Sequence, residues 1–170
     1  LLSALLAGCV PQLDGFGAED APAPELQEGQ YLVVGELESE TCGAGELRPP
    51  QGVASIVAIE VEGEAIRYDA GGEPLVGEIA EDGAFVVASE ITIDLRGSAD
   101  TDRPPCSITR TDTLRATLAP DQERFEGRFE IDYQPTPGSD CFDLTVGAGR
   151  LATALPCRVR YAVVGDSDPQ

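Results

Sequence analysis

The sequence predicts an all-β domain, with about eight antiparallel strands in meander order closed as a small up-and-down barrel in preference to a two-sheet sandwich. Three observations carry this. Apolar and polar residues alternate with a period of two through most of residues 30–165. The alternating runs are separated by short signals rich in Gly, Pro and Asp, which makes consecutive strands antiparallel neighbours. No run shows a 3.6-residue period with helix caps, apart from room for a single turn within residues 140–155. Strands with one apolar face, joined by hairpins, bury those faces most economically by closing on themselves.

The elements follow in order. Tyr31, Val33 and Leu37 share one face of the first segment, with Gly35 between them. Val57, Ile59 and Val61 oppose Glu60 and Glu62 in the second. Ile66 and Tyr68 form a short third segment, ended by Gly71-Gly72, and Leu75, Gly77 and Ile79 a short fourth, ended by Glu81-Asp82-Gly83. Phe85, Val87, Ile91, Ile93 and Leu95 keep one parity against Thr92, Asp94 and Arg96, which predicts one long strand rather than a hairpin. Leu114, Ala116 and Leu118 oppose Thr113, Arg115 and Thr117. After Pro120-Asp121, Phe125, Gly127, Phe129, Ile131 and Tyr133 oppose Arg124, Glu126, Arg128, Glu130 and Asp132. Val159, Tyr161 and Val163 oppose Arg158 and Arg160, and the two arginines are expected to face the acids of a neighbouring strand, Glu130 and Asp132 among them. The inward glycines Gly35, Gly77 and Gly127 suit a bent or tapered strand, and equally a cavity.

Composition excludes more than it assigns. The chain of 170 residues carries 31 acidic and 11 basic residues, a formal net charge of −20, and every basic residue is Arg. That balance repels phosphate backbones, so no nucleic-acid partner is expected. There is no His, Lys, Met or Trp. Ser-His-Asp and Cys-His nucleophile systems, imidazole metal sites, Schiff bases and phosphate-loop lysines are therefore excluded, and no cofactor is expected. The catalytic option left is a pair of carboxylates of the glycoside-hydrolase kind. With 31 acids any such pair is available by accident, so no catalytic residue is singled out.

An apolar run at the start of the sequence, Leu1-Leu2-Ser3-Ala4-Leu5-Leu6-Ala7-Gly8-Cys9, ends in a motif that resembles the lipobox of bacterial lipoproteins at all four positions, Leu6-Ala7-Gly8-Cys9. The resemblance implies cleavage between Gly8 and Cys9, acylation of the Cys9 sulfur and of the new amino terminus, and stable attachment through two or more acyl chains. Val10 rather than Asp follows the cysteine, which by the same resemblance implies the outer membrane. The organisation expected is a truncated signal peptide (1–8), a lipidated Cys9 with an acidic, Pro- and Ala-rich tether (9–29), a β domain (30–165) and a short tail (166–170). As a coil of about 20 residues the tether spans roughly 25 Å. With its composition the chain is similar to acidic lipoproteins of GC-rich Gram-negative bacteria such as myxobacteria.

With Cys9 assigned to lipid, Cys42, Cys106, Cys141 and Cys157 remain, an even number that reads as two disulfides in an exported domain. Three connectivities are possible, and the one expected is Cys141–Cys157 with Cys42–Cys106. A zinc site is disfavoured because no pair has C-x₂₋₄-C spacing. In a tethered meander the loops 39–52, 71–74, 97–105 and 135–156, with all four cysteines, fall at the end remote from the membrane, and tight turns fall at the near end. Asp100 and Asp102, with Asp140 and Asp143, are Ca²⁺ candidates on that rim; no other metal site is expected.

Gly29-Gln30-Tyr31 at the head of the first strand resembles the Gly-x-Trp of lipocalins, and Arg160 their closing Arg, which implies a lipocalin- or avidin-like cavity for a small apolar ligand. A lumen filled by Tyr31, Phe85, Phe129 and Tyr161 argues against such a carrier. The leading expectation is a non-enzymatic, lipid-anchored envelope domain that binds an envelope protein or has a structural role; the alternatives are the carrier of a small hydrophobic molecule and, third, a carboxylate-based glycan hydrolase. The anchor is tested directly. Cys9→Ser is expected to remove the acyl mass from the mature protein and move it from the membrane pellet to the supernatant. A wild-type protein with no acyl mass overturns the assignment.

Overall fold

The structure, a computed structural model, describes residues 29–96, 103–147 and 149–167. Its eight strands are β1 (Gln30–Glu40), β2 (Gly52–Glu62), β3 (Ala65–Asp69), β4 (Leu75–Ile79), β5 (Ala84–Arg96), β6 (Cys106–Leu118), β7 (Arg124–Pro135) and β8 (Cys157–Asp166), with a 3₁₀ turn at Phe142–Thr145. Each pairs antiparallel with the next, and β8 pairs with β1 from Leu32↔Asp166 to Glu40↔Val159, closing the barrel. The single long strand expected over residues 85–95 is β5, and the turn allowed within 140–155 is the 3₁₀ segment.

The parities expected from the sequence are those of the barrel. Tyr31, Val33, Val57, Ile66, Phe85, Val87, Leu114, Phe125, Val159 and Tyr161 are all buried in one core. Towards its tight-turn end the Phe125 ring meets Tyr31 and Phe85 edge-on, with centroids 5.6 and 6.0 Å apart. Outside, Arg158 Nε lies 2.6 Å from Asp132 Oδ1, and Arg160 pairs with Glu130, as cross-strand neighbours on β7 and β8. Such exposed pairs stabilise by about 0.2–1 kcal/mol each.

The inward glycines mark close approach and not vacant volume. A Cβ on Gly35, Gly77 or Gly127 would stand 2.8, 1.8 or 2.3 Å from its nearest neighbour. Gly165 sits opposite Phe125, and the ring occupies the space a side chain would need, with Cε1 2.1 Å from the Cβ position.

The disulfides join Cys42 to Cys157 and Cys106 to Cys141, with Cα atoms 4.9 and 5.1 Å apart, which corrects the expected pairing. Cys42 follows β1 and Cys157 opens β8, and these strands are neighbours only because the barrel closes. Cys141 is brought to Cys106 because the chain leaving β7 runs back along the start of β6: Thr136 N–H donates to Ser107 O (2.9 Å) and Asp140 N–H to Pro105 O (3.0 Å).

Gly165→Ala is expected to destabilise the barrel by about 1–3 kcal/mol, since Phe125 must leave its rotamer or the strands must part. The expected readout is a lower denaturant midpoint at unchanged slope. An unchanged midpoint shows that the ring is not tightly held.

Candidate functional site

All four barrel cysteines lie at one end, the end that carries the long connections. The opposite end has only tight turns. There Tyr31 Oη–H donates to the carbonyl of Gln122, a residue held at φ 60° between β6 and β7.

At the loop end, residues 136–147 and 149–156 form a cover over the barrel mouth. Thr153 N–H donates to Cys42 O (2.7 Å), Leu47 N–H to Leu151 O (2.8 Å) and Glu46 N–H to Arg150 O (3.1 Å), so the β1–β2 and β7–β8 connections are zipped together. Ala152 is fully buried beneath them, and Leu47, Leu144, Leu151 and Leu155 pack on the core. Below the cover, Tyr161 Oη–H donates to Pro50 O (3.2 Å).

One guanidinium fixes the other side of the cover. Arg96 Nη1–H donates to Asp143 Oδ2 (2.6 Å), Nη2–H to Asp143 Oδ1 (3.2 Å) and to Asp140 O (3.0 Å), and Nε–H to Pro104 O (2.6 Å). Arg103 adds a second contact to Asp143 at 3.3 Å. The Arg96 hydrogen bond holds the Asp143 carboxyl below its usual range. Between Cys141 and Asp143, Phe142 is 73% exposed, an aromatic ring displayed on a turn pinned at both ends.

The Ca²⁺ candidates divide. Asp100 and Asp102 lie outside the described residues. Asp143 is committed to two guanidiniums, and Asp140 Oδ1 accepts the Phe142 N–H (3.1 Å). Among the described residues no three acidic or cysteine side chains are grouped to hold a metal ion.

Inside the barrel, Tyr31, Phe85 and Tyr161 are buried and Phe129 is half-buried. Burial pushes the Tyr68 hydroxyl up to about 12 and raises Tyr133 as well. A half-buried charged pair also stands at inward positions of β6. Arg110 Nε–H and Nη2–H donate to the two oxygens of Asp112, each at 2.7 Å, and the guanidinium lies over the Tyr133 ring at 6.0 Å. Extending the inward parity of Leu114, Ala116 and Leu118 back along β6 reaches both residues, so the signal was available.

The wall is not uniformly paired. β5 has 13 residues, yet β4 pairs only with Phe85–Ala88; β2 has 11 residues, yet β3 pairs only with Ala58–Glu62. Among the described residues no strand pairs with the β4-facing side of Ser89–Asp94 or the β3-facing side of Gly52–Val57. On the outer wall, an open concavity of about 1110 Å³ crosses β4 to β7 at Gly77 and Gly127. It mixes Glu78, Arg115, Glu126, Arg128 and Glu130, and Arg128 is engaged by Glu38 at 2.6 Å, the pattern of a solvated salt-bridged face.

No family model, curated protein or solved structure matches the chain.

The latch has a pH signature. Because Asp143 titrates lower when folded than when unfolded, its stabilising contribution is complete above the ordinary value of 3.8 and is lost as pH falls through the lower folded value. Amide exchange at Asp143 and Leu144 is expected to quicken, relative to the β6 and β7 ladder, only below about pH 4. In Arg96→Ala it is expected to be fast at all pH values. Wild-type exchange that follows the ladder down to pH 2 overturns the latch.

Proposed function

We propose that this chain is a non-enzymatic, lipid-anchored binding module of the bacterial cell envelope, attached through Cys9 at the outer membrane, with the stapled rim as its working surface. The observation that carries the reading is the asymmetry of the two ends. One end is reduced to tight turns; the other invests both disulfides, the Arg96–Asp143 latch and a backbone zipper in holding long loops still. Binding residues favour loops on a rigid scaffold, and aromatic side chains held in place are the usual anchors of an interface. Phe142, with Val146 at 49% exposure on the same loop, fits that role. The partner expected is an envelope protein with an apolar pocket.

A carrier of a small hydrophobic ligand draws no support from an interior occupied by the Phe125 stack, whose ring also takes the space beside Gly165.

The reading is tested in intact envelopes, solubilised in mild detergent and cross-linked through a photoreactive group at residue 146. A discrete protein adduct is expected with the wild-type chain and a loss of at least about tenfold with Phe142→Asp, at unchanged folding and acylation. An adduct that survives Phe142→Asp, or no adduct at all, overturns the rim as the working surface.

A further inference from the structure

We propose that the open edge of β5, at Glu90–Asp94, is a second binding site, which takes an extended polypeptide strand whose residues alternate cationic and aliphatic. This site is on the wall and uses neither Phe142 nor Val146, although its Asp94 end lies two residues from Arg96 of the latch.

Hydrogen bonding fixes which groups the edge presents. Ala80 N–H donates to Ala84 O and Leu118 N–H to Gly83 O, so even-numbered residues of β5 turn their backbone groups towards β4 and odd-numbered ones towards β6. β4 ends its pairing at Ala88. Glu90, Thr92 and Asp94 therefore direct N–H and C=O groups outward from the sheet with no strand to receive them among the described residues. This is the geometry of strand addition, in which main-chain bonds give affinity and alternate side chains give selectivity.

The side chains along the edge specify the occupant. Ile91, Ile93 and Leu95 keep the inward parity but are only half-buried, because β4 stops short of them. An added strand with aliphatic residues on its inner face would cover them. On the outer face stand Glu90 and Asp94. Their polar neighbours are neutral hydroxyls, Thr111 Oγ1 at 3.5 Å and Ser107 Oγ at 3.2 Å, and no guanidinium pairs with either among the described residues. Opposite charges facing one another across strands are stabilising and like charges are not. The same acids disfavour self-association. An antiparallel copy centred on Thr92 would set Glu90 against Asp94 twice, so the edge rejects a second molecule of this chain while attracting a cationic strand.

The probe is a short synthetic peptide alternating Arg and Val, compared with the same peptide N-methylated at alternate amides so that its charge is kept and one hydrogen-bonding edge is lost. Binding to the intact folded chain is measured by calorimetry at low and moderate salt. The expected result is saturable binding that falls at least about tenfold on N-methylation, and by a similar factor with Thr92→Pro, whose lost N–H faces the open side and not the β6 ladder. Glu90→Gln with Asp94→Asn is expected to weaken binding and flatten its salt dependence. If the N-methylated peptide binds as tightly as its parent, the surface merely collects cations and the proposal fails, whatever becomes of the Thr92→Pro fold. Absence of binding by the parent peptide at low salt also overturns it. Neither result bears on the adduct at residue 146.

Discussion

The antiparallel pairing of β1 with β8 is the contact on which the rest of the structure depends. Ladder bonds along the hairpins are local and would form in an open sheet as well. The β1–β8 register, from Leu32↔Asp166 to Glu40↔Val159, turns a ribbon into a closed barrel. It brings Tyr31 of β1 edge-on to the Phe125 ring, which the β7–β8 ladder sets opposite Gly165. It also brings Cys42 to Cys157 across a sequence separation of 115 residues. In the chain-entropy picture a cross-link over so long a loop stabilises by about 4–5 kcal/mol. The covalent bond and the ladder therefore reinforce the same closure.

Much of the fold is legible in the sequence because a half-buried strand writes its own period. The faces of all eight strands follow from alternation at residues such as Phe125, Phe129 and Tyr133. The cysteine pairing is not legible, because it depends on which strands become neighbours at closure. Cys141 and Cys157 are close in sequence and end up in different bridges. Arg110 and Asp112 were missed for another reason. Charge suggests the solvent side, whereas their parity turns them inward and half-buries them, where each neutralises the other and Tyr133 takes the guanidinium face. The rim was visible as loop lengths, but its latch was not, since nothing in the sequence ties Arg96 to Asp143, 47 residues on. The open edge was half visible: two five-residue strands beside one of 13 cannot cover it.

Charge is distributed with a purpose that the net value of −20 conceals. Arg67, Arg124, Arg158 and Arg160 lie on the outer wall in pairs with acids of the same or adjoining strands, and Arg128 on β7 reaches across β8 to Glu38 on β1. Arg96 and Arg103 serve the cover, and Arg110 the interior. The planar fork of Arg suits each of these settings, since it satisfies two acceptors at once where an ammonium offers a point charge. What remains unneutralised is carboxylate, and on β5 it stands beside Ser89–Asp94, which no strand joins on the β4 side among the described residues.

The two bridges are nested, with Cys106–Cys141 enclosed by Cys42–Cys157. Under mechanical load this arrangement acts as a stop. A pull at the head of β1 can peel that strand from β2 and β8 only as far as Cys42. Beyond that point force passes through sulfur directly to the start of β8, and the 115-residue span between the bridged cysteines is bypassed. The connection that follows Cys42 is thereby shielded from a pull that opens the β1 ladders.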